Sequence, residues 1–415
     1  MASSPALSDI NLWDKDRFVD SVPHDWFATL RREAPVFWHP GDDTLSVIQG
    51  GGGPFWCVTD YDDVVTINRD NALFSSSRGL VFMWDPNQAN LETQRMLMLN
   101  MDPPMHTRYR RLINKGFTPR MVSELESTMR KRTSEIIDRI AERGECDFVV
   151  DVASELPLQV IADLMGVPQE DRHKMFDWSN RMIGAEDPEY GITEEISQQA
   201  SMELYAYAAE LAEKKRANPK DDLISVLTEA EVDGEKLTGF ELDLFFLLLS
   251  VAGNETTRNL ISHGMVALVE HPEQLEMVRK DRSLLPGAVE EMLRWASPVM
   301  HFRRTATADV ELGGQQIKEG DKVVIWYIAA NYDEKVFKDP FKFDVTRTPN
   351  EHVAFGGGGP HFCLGANLAR MEINVMFDEI LDRLDDLEIT APVSRLRSNF
   401  INGLKHIPLK FTAIR

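Results

Sequence analysis

The run Phe355-Gly356-Gly357-Gly358-Gly359-Pro360-His361-Phe362-Cys363-Leu364-Gly365 decides how this chain is read, because four successive glycines lead to one cysteine at the mouth of an apolar, Ala-rich helix. Glycine takes positive φ and carries no Cβ, so such a loop lies close beneath a flat, bulky group. Cys363 falls just before or at the first turn of the helix Leu364-Gly365-Ala366-Asn367-Leu368-Ala369-Arg370. Free backbone N–H groups and the positive end of the helix dipole there stabilise a thiolate, and a thiolate is an iron ligand. His361, two residues earlier, is a candidate partner for a carboxylate. Two plainer readings compete: a glycine loop before a helix binds phosphate, and a buried cysteine fills a core. The phosphate reading fails, since no Lys-Ser/Thr follows the glycines and no strand with a ribose-binding acid surrounds them. Core filling stays open on these residues alone.

Upstream, the proline pair in Asp102-Pro103-Pro104-Met105-His106-Thr107-Arg108-Tyr109-Arg110-Arg111 stops one segment and starts a helix. His106 and Arg110 stand four apart on one face of it and can reach a single anion. From 106 to 123 come Arg108, Arg110, Arg111, Lys115 and Arg120 with no acidic residue, against a chain whose formal net charge is −22. This is either an ordinary solvated face or a docking patch.

Thr238-Gly239-Phe240-Glu241 reads as a capping box, and apolar periodicity continues from it to about His271, roughly 50 Å of helix at 1.5 Å per residue. Polar residues interrupt its middle at Ala252-Gly253-Asn254-Glu255-Thr256-Thr257. A threonine bonded back to the preceding turn, kinking the helix, accounts for that by itself. Glu291 and Arg294 form an i, i+3 pair of a kind common on surfaces. Phe55-Trp56-Cys57-Val58-Thr59 reads as a strand and Tyr61-Asp62-Asp63-Val64 as the start of a short helix. Leu80-Val81-Phe82-Met83-Trp84 is an apolar cluster amid Ser, Gly, Asn and Pro, a candidate binding surface or a loop pinned to the core.

In order and spacing these stretches resemble the cytochrome P-450 superfamily, whose haem-binding loop reads Phe-Gly-x-Gly-x-His/Arg-x-Cys-x-Gly. Counting back from Cys363, His361, Gly359 and Gly357 fall in register, whereas Phe355 lies one position further out. The loop therefore carries one extra residue. The resemblance covers nearly the whole chain and implies a mainly α fold with small β-sheets, a triangular prism holding haem b between a long central helix and the cysteine loop. It implies one domain over 1–415, β-rich at about 1–60, 299–330 and 385–415, and α-rich at about 61–298 and 364–384.

By the same resemblance Cys363 ligates iron, and Phe355, His361 and Gly365 bind the haem with it. His106, Arg110 and Arg304 hold the haem propionates, with Arg303 the nearest rival to Arg304. Glu255 is implied as proton conduit and Thr256 as hydrogen-bond donor toward dioxygen; splitting O–O consumes protons and draws on thiolate electron density. Glu291, Arg294 and Arg347 are implied to lock the fold. Val81, Phe82, Met83, Val251, Ala252, Val299, Met300, Phe302 and Ile401 are expected to line the substrate pocket, with Asn399-Phe400-Ile401-Asn402-Gly403 as a hairpin tip above it. Arg108, Arg111, Lys115 and Arg120 are expected to dock an acidic ferredoxin, fed by a ferredoxin reductase from NAD(P)H.

The extended loop, with the stretches Ser250–Asn259 and Arg397–Gly403, is most similar to bacterial cholesterol or cholestenone side-chain hydroxylases. The implied activity is insertion of one atom of dioxygen into a C–H bond of a steroid or isoprenoid chain. Fatty-acid or terpene hydroxylation, a peroxide-driven peroxygenase, and a haem-thiolate sensor or lipid carrier are the rival readings.

Composition sets the outer bounds. With 43% hydrophobic residues over 415 positions the chain can bury a large core. Its acidity argues against nucleic acid and anionic membranes as general partners. Cys57, Cys146 and Cys363 are far apart and give neither a disulfide framework nor a zinc site. No basic-then-apolar leader opens the chain, and no run of about 18 apolar residues occurs in it. A soluble, cytoplasmic monomer is expected.

Overall fold

A computed structural model describes residues 5–42, 52–85, 88–114, 117, 119–184, 187–232 and 234–414. The fold is mainly helical with small sheets. Its spine is the helix Gly239–Glu270, 32 residues long, opened by the expected capping box: Glu241 N–H donates to Thr238 Oγ1 (3.2 Å) and Thr238 N–H to Glu241 Oε2 (2.7 Å). It ends at His271, where Pro272 begins the next helix, Pro272–Lys280.

Small residues let neighbours pack tightly on this spine. A Cβ on Gly253 would lie 2.8 Å from Ile161 of helix Glu155–Met165, and one on Gly264 would lie 2.8 Å from both Met292 and Phe377. Phe377 belongs to the helix that follows the cysteine, Ala366–Arg383, and Met292 to helix Leu285–Ala296. Three helices thus close on the spine where side chains give way.

The main sheet contains β1 (Val36–His39), β2 (Phe55–Val58), β3 (Phe74–Ser75), β4 (His301–Ala306) and β5 (Lys322–Trp326), in spatial order β1-β2-β5-β4-β3. Only β5 and β2 run parallel. The sheet divides two apolar clusters. On one face lie Trp13, Phe27, Met83, Met300 and Trp326; on the other Val58, Val64, Ile67, Ala306 and Val353. Cys57 and Cys146 are buried. Burial raises both thiols, that of Cys146 to about 12.

Several elements cross the boundaries expected from sequence; strand β3 (Phe74–Ser75), for one, lies inside the part read as α-rich. Helix His24–Glu33 lies inside the amino-terminal part read as β-rich. Strand Glu145–Asp147 lies inside the α-rich part and pairs with Pro408–Ala413 near the carboxyl end. Three-residue strands carry too little alternation to be seen in sequence.

Candidate active site

The cysteine loop takes its shape from its glycines. Gly356, Gly357, Gly358 and Gly359 all have positive φ, at 100°, 63°, 108° and 78°. This left-handed run accommodates the extra residue while Cys363 N–H still donates to Phe355 O (3.0 Å). At Gly359 a Cβ would stand 2.1 Å from Asn68 O, so backbone meets backbone there. Phe355 is stacked under the Arg370 guanidinium, 4.6 Å from the ring centroid. Arg370 donates to Glu290 (2.6 and 2.9 Å), fastening the cysteine helix to helix Leu285–Ala296. Burial raises the Cys363 thiol, while the Gly365 N–H and the charges of Arg110 and Arg370 work against that rise.

Around the loop stands a set of donors with no anion of their own. Arg110, from helix Met105–Ile113, donates to Pro360 O (3.1 Å), and Arg304 donates to Arg303 O (2.8 Å) and Asn68 Oδ1 (3.3 Å). Neither forms an ion pair with a carboxylate among the described residues. His106 and His361 pack ring to ring at 4.1 Å, and His106 Nδ1 is buried without a partner. His361 Nε2 faces Met101 O (3.0 Å) and Ser76 Oγ (3.2 Å). The nearby Asp102 carboxylate accepts from Ser75 Oγ (2.5 Å), Ser76 N–H (2.8 Å) and Ser77 Oγ (2.7 Å), which leaves it turned to the serine turn. Two arginines and an unpaired imidazole beside a cysteine fit a cofactor that has acidic side chains and an iron.

On the spine, Ala252 is exposed and Thr256 half-buried one turn later. Thr256 Oγ1 donates to Ala252 O (2.9 Å), so its proton is engaged in the helix and lone pairs face outward. The donor role expected from sequence requires the hydroxyl to rotate out of that bond. Glu255 is buried and turned to the other side. It pairs with Arg258 of its own helix, and its Oε1 accepts from Ser179 Oγ (3.2 Å) on helix Arg172–Ile183. Arg258 also donates to Asn180 Oδ1 (3.2 Å). Sequence reading missed this enclosure. Arg258, three residues after Glu255, was the available signal; Ser179 and Asn180 had none.

Glu291 collects Arg294 Nε (2.8 Å) and Nη2 (2.7 Å), Arg347 Nε (3.1 and 3.2 Å) and Asp344 N–H (3.0 Å). Glu291 and Arg294 are fully buried. This places the three residues together as one network.

The residues expected in the pocket divide. Phe82 stacks on Trp84 (4.6 Å, 16° between planes) and meets Phe400 at 5.5 Å; Phe400 meets Phe302 at 5.7 Å. Val299 bridges to Ile401, and Val251 is half-buried beside Ala252. Met83 and Met300, each 1% exposed, belong instead to the apolar cluster around Trp326, and Val81 is buried as well. Side chains in a loop alternate in direction with no period that sequence displays. The stretch 399–403 is the tip between the paired strands Ser394–Arg395 and Leu404–His406. Of the expected docking residues, Arg111 is exposed and Arg108 half-buried. Lys115 and the side chain of Arg120 lie outside the described residues.

A model of the family described as Cytochrome P450 matches residues 45–391. The chain belongs to the cytochrome P450 family. This P450 is 47% identical over 401 residues to a steroid C26-monooxygenase of Mycobacterium tuberculosis, covering 95% of this chain and 91% of that one. It is 43% identical over 410 residues to a methyl-branched lipid omega-hydroxylase of the same organism, covering 98% and 94%. Among solved structures, a Mycobacterium marinum cytochrome P450 in complex with pseudoionone superposes with a TM-score of 0.88 at 40% identity, covering 94% of each chain. The family implies haem as cofactor. Among the described residues no helix is long and apolar enough to cross a membrane.

Proposed function

We propose that this P450 is a monooxygenase hydroxylating the hydrocarbon side chain of a steroid or a comparable branched lipid at or near its end. The observation that carries the class is Cys363 at the end of a left-handed glycine loop, beside Arg110, Arg304 and His106 without a carboxylate partner. Two names support the substrate: a steroid C26-monooxygenase and a methyl-branched lipid omega-hydroxylase are both more than 40% identical over nearly the full chain.

Cys363 would ligate haem b, with Arg110, Arg304, His106 and His361 holding its propionates. Bound haem supplies one-electron redox chemistry and activation of dioxygen. The chain's own residues do the rest. The aromatic cluster of Phe82, Trp84, Phe302 and Phe400 gives a slim apolar chain a surface and excludes water. Glu255 is a proton store that exchanges its Arg258 and Ser179 contacts for a proton moving along the spine, and Thr256 holds that proton at the pocket face. This acid and alcohol favour the monooxygenase over a peroxide-driven peroxygenase. The exposed Arg111 and half-buried Arg108 form part of a docking face for an acidic ferredoxin, which receives electrons from NAD(P)H through a reductase.

Optical titration of the ferric protein tests the substrate. Cholest-4-en-3-one should produce a low-to-high-spin shift, followed by product hydroxylated at the chain terminus. A shift with a long-chain fatty acid alone would retain the class and overturn the steroid.

A further inference from the structure

Arg303 and Arg304 are neighbours, yet the period of two in a strand sends them to opposite faces of the sheet. Arg304 lies on the face with Asn68 and Tyr327, by the cysteine loop. Arg303 lies on the face of Trp326 and Met300, beneath residues 79–85. We propose that Arg303 is a positioning residue of the substrate pocket: it anchors the roof segment Leu80–Asp85 to the sheet and thereby sets where the Phe82 and Trp84 rings stand. The inference rests on the apolar-pocket reading above.

Four observations converge on it. Arg303 N–H donates to Val81 O (2.8 Å), so the roof adds to the sheet through backbone. Its guanidinium donates to Asp85 Oδ1 (2.6 Å) and to Trp84 O (3.4 Å). Lys322, on the strand beside it, pairs with the other Asp85 oxygen. The Arg303 and Lys322 side chains are 5% and 11% exposed, so two enclosed cations grip one carboxylate at the end of the roof. Gly79 opens the passage, since a Cβ there would stand 2.2 Å from Arg303 Nη2 and 2.5 Å from Thr305 Oγ1.

What the anchor holds in place is the aromatic pair. Leu80 takes a left-handed φ of 66° with its side chain fully buried, which turns the chain so that Phe82 and Trp84 follow as a stack. Phe82 then meets Phe400 in a T-shaped contact, and the Phe400 carbonyl is held by Met300 N–H (2.9 Å). The tip side is tied through β4's own approach and the roof side through Arg303, so the gap between the rings has a fixed width. Loss of the Arg303 side chain removes the guanidinium contacts to Asp85 and Trp84 O and leaves the backbone bond to Val81 O and the Lys322–Asp85 pair.

The test uses the full haem-loaded chain with Arg303→Gln, Asp85→Asn, Gly79→Ala and, for contrast, Arg304→Gln. Amide hydrogen exchange over 80–85 should rise about tenfold or more in the first three. Their KM for the steroid should rise with little change in kcat, the ratio of terminal to subterminal product should fall, and haem content should stay at the wild-type level. Arg303→Lys should recover part of the loss, and the Arg303→Gln/Asp85→Asn double variant should be worse than Arg303→Gln, because the Lys322–Asp85 pair is then lost as well. Arg304→Gln should instead lose haem. Unchanged exchange over 80–85 in Arg303→Gln, or haem loss without any change in exchange, would overturn the assignment; if that variant fails to fold, Asp85→Asn decides it by the same exchange measurement. Should the wild type show no shift with any steroid or lipid, the substrate reading alone fails, and the exchange data still judge the anchor.

Discussion

Thr256 donates its hydroxyl proton to Ala252 O in a helix whose next residue upstream, Glu255, faces away and is enclosed by Arg258 and Ser179. Removing the hydroxyl costs little packing, since the side chain is only half-buried. Thr256→Ala should therefore bind substrate as the wild type does but lose most product, with the reducing equivalents recovered as hydrogen peroxide. A general acid–base group is worth about 10²–10⁴ in rate. Product yield per NAD(P)H measures this, and unchanged coupling would remove Thr256 from the chemistry. At this scale sequence was informative where one residue type is dictated by backbone or chemistry, as with Gly356 to Gly359 and Cys363. It was silent on side-chain direction, so Met83 and Met300 could not be told from Phe82 and Phe302.

Two adjacent carboxylates tie helix Leu285–Ala296 to different partners. Glu291 gathers Arg294 and Arg347, while Glu290 reaches Arg370 on the cysteine helix and His352 on the approach to the loop. Glu291 and Arg294 were legible as a local spacing and Arg347 only through the family resemblance, whereas Arg370 lies 80 positions from Glu290. Burial raises the Glu290 carboxyl, but the hydrogen bonds from Arg370 and His352 outweigh it and hold the group at about 2. A folded-state value below the ordinary 4.5 means the contribution is full above pH 4.5 and fades as pH falls through 2. Because Glu290 is partly exposed, the contribution is about 1–3 kcal/mol. Glu290→Gln should unfold correspondingly more easily at pH 7, with the gap from wild type closing as the pH of denaturant melts is lowered from 4.5 towards 2. A gap independent of pH would assign the loss to packing instead of charge.

For the molecule as a whole, charge is the long-range property. With a formal net charge of −22, most of the surface repels an acidic partner, and the stretch 106–123 is where attraction is available. Screening lengths fall from about 10 Å at 0.1 M salt to about 3 Å at 1 M. Arg111→Glu should slow association with an acidic ferredoxin about tenfold or more at low salt. That difference should vanish near 1 M, as stopped-flow reduction would show; equal rates at low salt would move the docking face elsewhere. The overall architecture was readable because a capping box, the apolar periodicity of a 32-residue helix and a glycine loop are each long or chemically restricted. The pairing of Glu145–Asp147 with Pro408–Ala413 was not, since it joins short segments from opposite ends of the chain.

The burial of Cys57 and Cys146 also makes the chain its own occupancy gauge. Both thiols are closed to solvent, whereas Cys363 is half-open. A mild maleimide should then label one sulfur per chain in apoprotein and none in a fully loaded sample, so the labelled fraction counts the molecules that lack cofactor without any reference to colour.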